Sequence, residues 1–304
     1  MENNICEIVN SYGIIGYSPY INKNISNLYQ YFDQNTIGKF LLVRRKHSYA
    51  FTSFIRGDYS RKNLPKMFGE MTKTEKNRIL NEDFKDLWES VTHKYFREKD
   101  QIKKKYERCL NRFNKIKCEY NNFELVIKNS ISNKITPEWG FPKGQKRKDP
   151  DVFNFPNNET LTYNDTGLSD ESDFDCAVRE FEEETGINKS NLLILKNKPV
   201  YEYYLGTDMK MYRYLYYVGI VKNTNFILPV NQNNYSQSFE ISNIGWYTKN
   251  EIIDLLGPMT NFRRKMIMNM NNIIKRFEYD MMDKNVNSII LDQLESMSKK
   301  MLNI

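Results

Sequence analysis

The chain has 304 residues, with 45 basic against 38 acidic side chains and a formal charge of +7. It contains no run of about 18 apolar residues, which points away from a membrane-spanning helix. Only His47 and His93 are present, which points away from a His-based triad or a His-rich metal centre, and the four scattered cysteines (Cys6, Cys109, Cys118, Cys176) read as free thiols of a reducing compartment.

Residues 11–18 read as a strand, and 38–46 and 48–56 read as two more. A helical block follows, in which Phe84, Leu87, Trp88, Val91, Tyr95, Ile102, Tyr106, Leu110, Phe113 and Ile116 keep mostly helical spacing. An inserted helical domain is expected at 57–131, between a first part at 1–56 and a second at 132–304. Within this block, residues 94–117 hold ten Lys and Arg against Glu98, Asp100 and Glu107, a local excess equal to the net charge of the whole chain. A basic stripe of this kind releases counterions from a phosphate backbone. An ordinary solvated helix face is the competing reading.

β structure resumes near Trp139-Gly140-Phe141. Residues 145–170 are rich in Asn, Asp, Thr and Pro and read as a surface loop. A helix is expected over 172–185, with Ser172 as N-cap and Gly186 as its stop. Phe174, Ala177, Val178 and Phe181 share one face of it, while Glu180, Glu183 and Glu184 fall together on an adjacent one. Three carboxylates within one turn repel each other unless a cation sits among them. Hard oxygen donors of this kind suit Mg²⁺ or Mn²⁺. Strands are expected near 192–204, 211–222 and 241–248, with Tyr212, Tyr214 and Tyr216 alternating onto one sheet face. A short helix begins near Lys249, and a long one spans 259–282 with a Met-rich stripe that reads as core. The last 20 residues read as one more helix.

The stretch from Arg179 to Ile187 (Arg-Glu-Phe-Glu-Glu-Glu-Thr-Gly-Ile) resembles the tail of the Nudix signature. Seven residues separate Glu171 from Arg179, as that signature requires. The position where the signature places its glycine holds Asp165, so Gly144, in Phe141-Pro142-Lys143-Gly144, is taken as the motif glycine and 145–170 as an enlarged loop. The early helical insertion, residues 44–51 and the Gly-Phe-Pro-Lys-Gly lead-in together resemble the mRNA-decapping Nudix enzymes of large DNA viruses.

That resemblance implies an α+β fold, a Nudix α/β/α sandwich with an inserted all-helical domain. It also implies hydrolysis of capped mRNA in the cytoplasm, to m7GDP and 5′-monophosphate RNA. Glu180, Glu183, Glu184 and Glu240 would hold Mg²⁺ or Mn²⁺, with Glu183, Glu240, Arg179 and Glu171 as the catalytic set. The N7-methylguanine cation would stack on Tyr49 and Tyr214, with Asp208 accepting from its polar edge. The bland alternative is that these tyrosines only cover the sheet. Lys103, Lys104, Lys105, Arg108, Arg112 and Lys143 are the expected RNA contacts. A hydrolase of small polyphosphates and a non-catalytic RNA-binding module are the alternative functions.

Overall fold

The computed structural model describes residues 8–18, 38–92, 99–119, 122–132, 134–146, 171–206, 210–221, 230–257 and 261–282. Among them is a seven-stranded mixed sheet: β1 (Ile8–Ser18), β2 (Lys39–Arg45), β3 (Trp139–Gly140), β4 (Lys143–Gly144), β5 (Leu192–Leu205), β6 (Met211–Val221) and β7 (Ile241–Thr248). The main order is β3-β2-β1-β6-β5, with β4 also on β1 and β7 on β2. Parallel pairing of β1 with β6 runs from Ile8↔Met211 to Tyr17↔Ile220 and forms the centre of the sheet.

Alternation along these strands builds two cores. One face carries Ile15, Tyr17, Leu42, Tyr216 and Val218, packed against Ile252 of a short helix (Lys249–Leu255) and against Met266 and Met270 of a long one (Asn261–Met282). The Met stripe is therefore core where it is described. Met259 and the last 20 residues lie outside the described segments. The opposite face carries Tyr12, Ile14, Leu41, Val43 and Leu215 under Cys176, Ala177, Val178 and Phe181 of the helix Asp173–Thr185. Helices on both faces give the expected α/β/α sandwich.

The remaining helices are α1 (Tyr49–Ile55), α2 (Leu64–Gly69), α3 (Lys73–Asn81), α4 (Phe84–Val91), α5 (Lys99–Glu119), α6 (Phe123–Asn129) and α8 (Tyr235–Glu240), with the signature helix Asp173–Thr185 as α7, Lys249–Leu255 as α9 and Asn261–Met282 as α10. Helices α1 to α6 share a separate core around Phe54, Phe68, Phe113 and Phe123.

The strand expected at 48–56 is instead helix α1. Its Phe, Thr and Ile content favours a strand on propensity alone. Against that, Ser48 Oγ accepts from the Phe51 amide at 3.1 Å as an N-cap, and the buried positions 50, 51, 54 and 55 follow helical spacing. Glu75 anchors this start. Its Oε1 accepts from the Ser48 amide at 2.6 Å, while Oε2 accepts from the Thr72 amide at 2.9 Å in the capping box of α3. One buried carboxylate thus ties the first turns of α1 and α3 together.

Candidate active site

Helix α7 begins as the sequence leads one to expect, with Ser172 Oγ accepting from the Asp175 amide at 3.0 Å. It ends at Gly186, whose φ of +73° is a left-handed conformation that strongly favours glycine. Phe181, wholly buried, fixes the helix on the sheet and so sets the rotation of its acidic face.

Arg179 organises that face. Nε donates to Glu171 Oε1 at 2.7 Å and Nη2 to Glu171 Oε2 at 3.0 Å. Nη1 donates to Glu180 Oε1 at 2.6 Å and to Glu183 Oε2 at 3.1 Å. Nη2 also reaches the Gln145 carbonyl at 3.0 Å, which fastens β4's exit to the helix. The structure thus brings together Glu171, Arg179, Glu180 and Glu183. Glu184, one turn beyond Glu180, accepts from the Lys143 amide at 2.9 Å.

Gly144 lies against the Glu180 carboxyl, where an added Cβ would stand 2.2 Å from Cδ. A side chain at 144 would therefore fill the space that the carboxylate uses. Gly144, expected as the motif glycine, thus lies beside a carboxylate of the signature helix.

Burial pushes the Glu180 carboxyl up to about 7; Arg179 lowers it, while Glu183 and Glu240 raise it. Burial pushes Glu184 up to about 8, with Glu180 and Glu240 adding to the rise. Glu240, at the end of α8, is thus electrostatically part of the cluster. Its placement depends on a residue that the sequence did not single out. Gln237, 2% exposed, donates from Nε2 to the Glu184 carbonyl at 3.0 Å and accepts from the Asn231 amide at 2.8 Å, docking α8 on the end of α7. No spacing rule would have found Gln237.

Among the described residues, no three acidic side chains converge into a ready cation cage, because Arg179 stands among them. The chemistry of the donors still fits a hard divalent ion. They are all carboxylate oxygens, and two of them are buried side by side at raised pKa, a repulsion that bound positive charge relieves.

Tyr49 and Tyr214, expected as a cap sandwich, meet around Lys143. Its Nζ donates to the Tyr49 hydroxyl at 2.6 Å and lies 4.4 Å from the Tyr214 ring centre and 5.3 Å from that of Tyr49. Arg45 covers Tyr49 with its guanidinium 4.2 Å from the ring centre, another contact not anticipated from the sequence. Tyr49 is 40% exposed, whereas Tyr214 is 7% exposed within a ladder running Tyr212, Tyr214, Tyr216. Lys143 therefore sits inside the site, and Asp208 lies outside the described residues. On α5, Lys103, Lys104, Lys105, Arg108 and Arg112 are exposed, and Lys104, Arg108 and Arg112 line a shallow cleft with Glu107, Asn111 and Lys115. Arg112 also donates to the Tyr59 carbonyl at 2.9 Å.

The NUDIX domain model matches residues 120–270. The chain belongs to the Nudix superfamily. Strands β1 and β2 precede the matched span, yet they form the centre of the Nudix sheet. A protein of Acanthamoeba polyphaga mimivirus, named "Putative mRNA-decapping protein", is 31% identical over 245 residues, covering 72% of this chain and 61% of the relative. The match thus spans less than two thirds of that relative's length. The mRNA-decapping protein g5R of African swine fever virus (isolate Warthog/Namibia/Wart80/1980) is 27% identical over 251 residues, 75% of this chain and 90% of g5R. Among solved structures, a C. elegans Ap4A hydrolase binary complex aligns over 88% of this chain and 98% of its own at 12% identity, with a TM-score of 0.39. Among the described residues of this Nudix protein, no helix is long and apolar enough to cross a membrane.

Proposed function

We propose that this Nudix protein is a divalent-cation-dependent mRNA-decapping hydrolase acting in the cytoplasm. Water would cleave m7GpppRNA between the first and second phosphates from the RNA, giving m7GDP and 5′-monophosphate RNA. The observation that carries this reading is Arg179 holding Glu171, Glu180 and Glu183 together beside Gly144. Similarity to the viral decapping proteins supports the choice of substrate.

Glu180, Glu183, Glu184 and Glu240 are the residues that would hold Mg²⁺ or Mn²⁺. When bound, the ion lowers the pKa of water and offsets charge on the phosphates. Arg179 keeps the carboxylates in one orientation through charge-assisted hydrogen bonds. Glu240 would take the proton from the attacking water, with Glu183 also in the catalytic set and Glu171 acting through Arg179 as a positioning partner. Lys143 and Arg45 bring fixed positive charge to the same rim. Tyr49 has the more exposed ring, and a methylated guanine would gain about 0.5–2 kcal/mol from a good cation–π face. Tyr214 lines the floor, and Asp208 is kept as the proposed acceptor for the guanine edge. The helical unit at 57–131 supplies the RNA grip through Lys103, Lys104, Lys105, Arg108 and Arg112.

Comparing capped RNA with free cap analogue tests the substrate. Much faster turnover of capped RNA is expected. Equal rates on both, or on dinucleoside polyphosphates, would favour a hydrolase of small polyphosphates.

A further inference from the structure

We propose that the outer end of the sheet, on the side covered by α7, is a platform for single-stranded RNA, separate from the basic helix α5. The proposal rests on the protein acting on RNA, and it adds a second contact surface within the Nudix sheet itself.

The register places side chains of β1, β6 and β5 in rows across this face. Tyr12, Leu215 and Tyr201 form the innermost row. Tyr12 and Leu215 are 7% exposed, but Tyr201, on the edge strand, is 42% exposed. Arg213 and Tyr203 are neighbours in the next row, where Tyr203 is 37% exposed. Beyond them Ile8 and Leu205 are 59% and 51% exposed on either side of Met211. The helix covers only the inner part of the face and leaves a contiguous aromatic and apolar surface, the kind that marks a binding site.

The chemistry of the strip favours a polynucleotide. Arg213 is paired across the strands with the exposed Tyr203, and two lysines lie further in on the same face: Lys196 Nζ is 3.8 Å from the Phe174 ring centre, and Lys146 Nζ, ion-paired with Asp173 at 2.8 Å, is 5.3 Å from that of Tyr12. Phe174 in turn meets Tyr217 edge-on at 5.3 Å. Rings for stacking and cations for phosphate are the two parts of a sequence-tolerant single-strand site. Tyr201 and Tyr203 project to one side about 7 Å apart, two strand positions, a step that one nucleotide of an extended strand can span.

The strip also adjoins the candidate active site. Lys146 is two residues past Gly144, and between them the Gln145 carbonyl accepts from Arg179. RNA leaving the site past Lys146 would therefore run along this face.

The test is binding of a fluorescein-labelled, uncapped oligoribonucleotide to the full chain, with Tm as a control on folding. Replacing Tyr201 and Tyr203 together by Ala should weaken binding about tenfold or more. The Tyr201→Phe and Tyr203→Phe pair should bind like wild type, because the stacking face is kept. Undiminished binding by the Ala pair at unchanged Tm would overturn the proposal, as would equal loss in the Phe pair. Capped-RNA turnover, measured in parallel, separates the two readings. Wild type that releases m7GDP while the Ala pair binds normally sinks the platform alone. Wild type that releases none, with binding still lost in the Ala pair, sinks the decapping reading and keeps the platform.

Discussion

Arg179 grips Glu171 at two points, Nε to Oε1 at 2.7 Å and Nη2 to Oε2 at 3.0 Å, while its remaining nitrogen reaches Glu180 and Glu183. This one guanidinium joins the residue before the α7 N-cap to the second and third turns of the helix. Lysine keeps the charge but has no planar fork. Arg179→Lys should therefore retain the fold and lower apparent cation affinity about 10–100-fold. Turnover titrated against Mg²⁺ checks this; an unchanged half-saturation point would remove Arg179 from the site.

The raised carboxyls at 180 and 184 make a pH prediction. Their folded pKa values, about 7 and about 8, exceed the ordinary 4.5. The folded state thus keeps protons that the unfolded chain has released, and the metal-free fold loses stability as pH rises between about 4.5 and 8. Thermal unfolding in chelator should show Tm falling by several degrees across that window, and Mg²⁺ should restore most of the loss at the upper end. A flat Tm in chelator would contradict the crowding of these two carboxyls.

Gly144 is where the fold leaves room for the Glu180 carboxyl. Gly144→Ala must displace that side chain or β4. Overpacking of this kind costs about 1–3 kcal/mol, and turnover should fall much further than stability. Parallel melting and activity curves test it; full activity would show that Glu180 can move without consequence.

On α5, replacing Lys103, Lys104 and Lys105 by Ala removes three exposed charges. If all three face phosphates, the slope of log affinity against log salt should fall by about 2 units for single-stranded RNA. An unchanged slope would place the RNA on another surface.

Most of this architecture was legible in the sequence, for reasons that particular residues make plain. Tyr214 and Tyr216 alternate on one face because a strand has period two, and Ala177, Val178 and Phe181 mark the buried face of α7 because a helix does not. The acidic face of α7 followed from the same spacing. The aromatic and β-branched content of 48–56 favours a strand, and locally only the Ser48 cap favours helix α1. That cap is stabilised by Glu75, far away in sequence. Gln237 and the Arg45 contact with Tyr49 were invisible for a related reason: each depends on tertiary placement, and neither residue is unusual where it stands.

The most direct test follows the fate of the cap. RNA carrying a ³²P-labelled m7G cap is incubated with Mg²⁺ or Mn²⁺, wild type beside Glu183→Gln. The account predicts labelled m7GDP from wild type and none from the variant, with RNA binding retained by both. Equal release by the variant would contradict the role of the α7 carboxylates. No m7GDP from wild type, with small polyphosphates still turned over, would contradict the proposed substrate.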